Sequence, residues 1–120
     1  MPNSKATTMS DLSEEDAKLV ALAKQARARI QASEGAAVRD ETGRSYSGAT
    51  VELPSTQLSA LQLAVAQAVA AGARDIEAAV VVTNSQNIDT QPIADAASTP
   101  TPLHICSPKG EVLASTIVES

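Results

Sequence analysis

Phenylalanine and tryptophan are absent from these 120 residues, and Tyr46 is the one aromatic. A core without large rings must be assembled from Ala, Val, Leu and Ile, each of which buries less area. Base stacking, which supplies much of the affinity for nucleobases, has only that single ring to use. Cysteine occurs once, as Cys106, so no intramolecular disulfide can form and a reducing cytoplasm is the expected compartment. Histidine also occurs once, as His104. No apolar run approaches the roughly 18 residues of a membrane span, and residues 1–8 hold no apolar signal core. Lys and Arg number 9 against 14 Asp and Glu, and no basic cluster exceeds one helix face. A phosphate-backbone footprint is missing, so neither nucleic acid nor a membrane is an expected partner.

What is present suits one domain over 11–120, with 1–10 expected as a polar, disordered leader. The chain is 43% hydrophobic, but its units are small. A small aliphatic core of this kind is often helped by association, and a homo-oligomer, dimer or tetramer, is expected.

Asp11 to Asp16 places capping residues before carboxylates, and Lys24, Arg27 and Arg29 come later, as the helix macrodipole prefers. Leu19, Ala23, Ala26 and Ile30 share one face, predicting a helix over about Asp11 to Ser33 with Gly35 as its stop. Extended segments 36–40 and 45–51 flank Glu41-Thr42-Gly43-Arg44, a hairpin signal. Pro54-Ser55 breaks the extended run before a second helix, Ser59 to Ala71, closed by Gly72. This helix is apolar almost all round, which predicts burial on several sides. Ala78 to Thr83 is a continuous run suited to a central strand covered on both faces. After a polar loop, Pro92 to Ser98 can form only a short helix; strands are expected at Leu103–Cys106 and Glu111–Val118 around a turn at Ser107–Gly110. The order α-β-β-α-β-(α)-β-β makes an α/β sandwich with a mixed sheet.

In this order of elements, GRSYSGATVELPS followed by SALQLAVAQAVAAG resembles the cytidine deaminase family. The resemblance covers roughly Asp11 to Val118 and implies a three-layer α-β-α sandwich with about five strands. Members of that family carry Gly-x-Asn-x-Glu after the hairpin, Cys-Ala-Glu or His-Ala-Glu at the central helix, and Pro-Cys-x-x-Cys at the next one. Counting back from Gly72 places Ser59 at the first metal-ligand position and Leu61 at the catalytic glutamate. Pro92 matches the family proline, so Ile93 and Ala96 fall at the two cysteines.

Zinc deamination needs three thiolate or imidazole ligands that leave one site for water, and a carboxylate that moves its proton. Ser59 is a poor ligand, Ile93 and Ala96 cannot bind metal, and Leu61 cannot carry a proton. Neither zinc nor another cofactor is therefore expected, and the former site is expected to be repacked as core. The resemblance also puts Glu52 at the sugar-binding glutamate and Thr50 where asparagine normally stands. With Tyr46, these residues could keep a nucleoside pocket, although each has an ordinary strand-residue reading. The leading expectation is a catalytically inactive deaminase-fold protein that works by binding or assembly. Alternatives are a nucleoside or small-anion module and, if the motifs align otherwise, a divergent zinc-dependent deaminase.

Two further constellations have bland readings that outweigh functional ones. His104 and Cys106 share a strand face and could begin a metal site only if Asp89 or Asp95 converged on it; a packed Cys and a partly exposed His are expected instead. Their side chains would run parallel, which suits a nucleophile and base poorly. Ser55 and Ser59 near a helix start read as caps before they read as an anion site.

Overall fold

The computed structural model describes residues 12–85 and 87–120; the expected leader at 1–10 lies outside them. Helix α1 spans Glu14–Arg29. Ser13 caps it by accepting from the Asp16 amide at 3.1 Å, and Glu14, Glu15 and Asp16 occupy the first turn. The helix ends earlier than its apolar spacing suggests, and not at Gly35. Gln31 takes a left-handed conformation (φ 52°). The Ala32 amide reaches back to the Arg27 carbonyl at 2.9 Å and that of Gln31 to Ala28 at 3.3 Å. This is a Schellman closure built on glutamine rather than glycine.

Gly35 instead opens strand β1 (Gly35–Asp40), which turns through Gly43 into β2 (Ser45–Ala49). A short hairpin follows, β3 (Val51–Leu53) and β4 (Thr56–Leu58), so Pro54-Ser55 forms its turn rather than leading directly into a helix. Helix α2 covers Ala60–Ala70 and closes through Gly72 (φ 98°), as its spacing predicts. Then come β5 (Ile76–Val82), the six-residue α3 (Gln91–Ala96), β6 (Thr101–Cys106) and β7 (Val112–Val118).

The main sheet has five strands in the order β2-β1-β5-β6-β7, with β5 and β6 parallel and the other pairs antiparallel. Its central strand needs apolar residues on both faces, and the alternation along β5 provides them. Ala78, Val80 and Val82 meet Leu19, Val20 and Ala23 of α1 on one side. Ala79 and Val81 meet α2 and α3 on the other, through Leu61, Ala64, Ala68 and Ile93. The result is an α/β sandwich with a mixed sheet, as the element order implied, in the three α-β-α layers and five strands that the resemblance implied. Burial of α2 is one-sided, however: Ala60, Leu61, Ala64, Val65 and Ala68 are buried while Ala66, Val69 and Ala70 are exposed.

Two glycines let the helices sit this close. A Cβ on Gly35 would lie 2.0 Å from the Ala23 carbonyl oxygen of α1. One on Gly48 would lie 2.9 Å from both the Ala64 amide nitrogen and the Leu63 Cβ of α2. Gly43 differs, having open space around it but a φ of +89°. Gly35→Ala should therefore lose about 3 kcal/mol in urea unfolding, because α1 must move off the sheet. Gly43→Ala should lose only about 1 kcal/mol, through backbone strain alone. Equal losses would contradict close approach as the reason for Gly35.

Candidate functional site

The starts of α2 and α3 are where the resemblance places the chemistry, and the fold brings those starts together. Ser59 is the N-cap of α2 and forms a full capping box. Its hydroxyl accepts from the Gln62 amide at 3.0 Å, and the Gln62 side chain accepts from the Ser59 amide at 2.8 Å. The Ser59 oxygen and the local donors are thus committed to each other, which leaves little for an anion or a metal. Leu61, two residues past that cap, is 1% exposed, and Ile93 of α3 is fully buried. Both belong to one apolar cluster with Ala64, Val65 and Ala97, against which Ile88, Ala94 and Ala96 also pack.

Zinc would need thiolate, imidazole or carboxylate at these positions. Ser59, Ile93 and Ala96 offer one hydroxyl, already used, so these residues do not fit a zinc ion. Among the described residues no three His, Cys, Asp or Glu side chains are grouped to hold a metal. A shallow groove of about 360 Å³ runs beside the cluster, lined by Gln62, Val65, Val69, Pro92, Asp95 and Ala96.

Thr50, Glu52 and Tyr46 do not converge. Thr50 lies just past one end of β2, where its hydroxyl accepts from the Glu34 amide and the Ser33 hydroxyl, both at 3.1 Å. It fastens β2 to the segment before β1. Glu52 is exposed on β3, opposite Gln57. Tyr46 lies near the other end of β2, about 13 Å away at strand rise, and donates to Asp40 Oδ2 at 2.8 Å.

Asp40, missed by the sequence reading, organises the β1–β2 turn. Burial opposes its charge, but the Thr42 and Tyr46 hydroxyls and the Thr42 and Arg44 amides donate to it and outweigh that cost. Its pKa falls from 3.8 to about 2. The bond to Asp40 raises that of Tyr46. A turn-leading Asp followed by Thr was the available signal, since such side chains bond the backbone two residues on.

His104 and Cys106 both face α1, as strand alternation requires, but they do not act as a pair. Cys106 is buried in the α1-side cluster and its thiol is pushed up to about 11 by burial, so it is not a thiolate nucleophile at neutral pH. His104 is partly exposed, as expected, with 13% of its side chain accessible. Its Nδ1 lies 2.7 Å from Ser115 Oγ and its Nε2 3.1 Å from Asp16 Oδ2. Arg39 joins Asp16 at 3.0 Å and Glu77 at 2.7 Å, and its pKa is raised because these bonds outweigh burial. Glu77 reaches it from a register irregularity where β1 meets β5.

An α-β-α sandwich with a mixed five-stranded sheet, and two helix starts meeting beside its central strand, defines a deaminase-type architecture. The family model for cytidine deaminase-like proteins matches residues 12–110, and the chain belongs to that family. Among solved structures it is similar to a cytidine deaminase from Burkholderia pseudomallei, with 19% identity and a TM-score of 0.69 over 90% of this chain and 93% of that one. It is also similar to a cytidine deaminase from Mycobacterium leprae, with 22% identity and a TM-score of 0.60 over 83% and 92%. No curated protein gives a match.

Leu61→Glu should lose about 4 kcal/mol at neutral pH, with part regained as the pH falls and the new carboxyl is protonated; chemical denaturation at two pH values measures it, and an unchanged midpoint would mean a wet, roomy site. Asp40 has its folded pKa below its unfolded value, so the stability it contributes is full above about 3.8 and lost as pH falls toward about 2. Asp40→Asn should be less stable by about 2 kcal/mol at neutral pH and should flatten the acid limb of the stability curve in that window.

Proposed function

We propose that this chain is a non-catalytic member of its family, acting by binding or by assembly into a homo-oligomer in the cytoplasm. One observation carries the reading: Leu61 and Ile93 pack into a single buried apolar cluster where the resemblance puts the catalytic glutamate and a zinc ligand. A leucine cannot shuttle a proton, and isoleucine and alanine have no lone pair for a metal. The neighbouring structures are cytidine deaminases by name, which makes cytidine the substrate to test.

Assembly is favoured by apolar surface around α2. Val69 is 54% exposed and lines the groove between α2 and α3. Ile30 is 59% exposed and lines, with Leu63, a second groove of about 200 Å³ over β2. A lone buried cysteine suits a reducing compartment, and no helix among the described residues is long and apolar enough to cross a membrane. A nucleoside or small-anion module has less behind it, because Thr50, Tyr46 and Ser59 are engaged with Glu34, Asp40 and Gln62.

Protein purified from zinc-supplemented growth should carry no stoichiometric zinc by elemental analysis and should release no ammonia from cytidine. Stoichiometric zinc with turnover would overturn the reading in favour of a divergent zinc deaminase. Sedimentation at micromolar concentration should give a dimer or tetramer; a stable monomer would remove the assembly role.

A further inference from the structure

We propose that Ser115 is an activated nucleophile, served by His104 and Asp16, that accepts small activated acyl groups. The proposal concerns a chemistry other than deamination and does not rest on the Leu61–Ile93 cluster, which lies on the opposite face of the sheet. Register fixes the first contact: His104 of β6 and Ser115 of β7 are direct cross-strand partners, and Nδ1 lies 2.7 Å from Oγ. The first turn of α1 fixes the second, with Asp16 Oδ2 at 3.1 Å from Nε2. A carboxylate can only accept, so the proton of the neutral ring belongs on Nε2. The Nδ1 lone pair then faces Ser115, whose hydroxyl must donate to it. That is the arrangement a general base requires.

Asp16 is itself held. Its other oxygen takes the Arg39 bond at 3.0 Å, and Glu77 holds the far side of that guanidinium. His104 and Asp16 retain only 13% and 17% side-chain exposure, while Ser115 is exposed. The base and its orienting group are thus shielded and the hydroxyl is open. The ring is used the other way round from the familiar Ser-His-Asp arrangement, with Nδ1 toward serine, which leaves the proton accounting unchanged.

In the step, Oγ attacks the carbonyl carbon of an ester as its proton passes to Nδ1. The bond to the leaving oxygen breaks, and His104 returns the proton to that oxygen. A serine ester remains, and water reverses the sequence with the same base. Ser115 lies on an exposed strand surface, so the reaction suits small donors with good leaving groups rather than a shaped substrate.

The test treats the intact protein with a fluorophosphonate probe and, separately, p-nitrophenyl acetate, and maps modified serines by peptide mass spectrometry. Ser115 should react about 100-fold faster than the exposed Ser45 of the same chain, the lower end of what a positioned base contributes. Ser115→Ala should abolish that site, and His104→Gln should slow it by a similar factor while melting cooperatively. Equal rates at Ser115 and Ser45 in the unmodified protein would overturn the proposal without reference to any variant. A rate at Ser115 that is unchanged in His104→Gln would overturn it as well.

Discussion

Close approach of helix to sheet is the constraint on which the rest of this structure depends. Without phenylalanine or tryptophan, the space between layers cannot be filled by rings, so the layers must come together instead. Alanine and glycine at the contacts make that possible. Gly35 of β1 lets α1 settle against one face, and Gly48 of β2, paired with Ala36, lets α2 settle against the other. The central strand β5 is then covered on both sides by residues no larger than valine and leucine. In such a thin core, Leu61 and Ile93 are among the largest buried side chains. They are structural weight at the starts of α2 and α3.

The same closeness explains why the candidate pocket disperses. The segment after β2 does not run loosely over an open cavity; it folds into the β3–β4 hairpin and then enters α2 through a completed capping box. Thr50 is drawn to the α1–β1 connection and Tyr46 to the Asp40 turn. Thr50, Tyr46 and Ser59 are each tied to a neighbour, and Glu52 lies exposed on β3. Polar organisation has moved to the α1 face, where Asp16, Arg39, Glu77, His104 and Ser115 form one line of contacts across α1 and four strands.

Much of the fold was legible because it rests on local signals. The β-branched run of β5, the Gly72 closure of α2 and the hairpin glycine at 43 each act within a few residues. The α1 boundary was not legible, because Gly35 after an apolar helical stripe has two uses. Gln31 took the left-handed position that glycine usually fills, and Gly35 was needed for contact with a helix that had already ended. Pro54-Ser55 similarly fits both a helix entry and a two-residue turn. The Asp16–His104 contact spans 88 positions, and no pattern in either segment points to the other. Tyr46 and Thr50 lie at opposite ends of β2 and Glu52 on the separate strand β3, and the Asp40 and Glu34 partners of the first two come from outside that segment. The family resemblance identified the frame and the positions to inspect, while the side-chain partners became visible only in three dimensions.

A non-catalytic role requires that the space beside Leu61 and Ile93 be dry core and not a binding site. Methyl NMR of these two residues during titration with zinc and then cytidine addresses it directly. The methyl signals should stay in place through millimolar ligand. A saturable shift of the Leu61 and Ile93 methyls at stoichiometric zinc, or with cytidine, would contradict it.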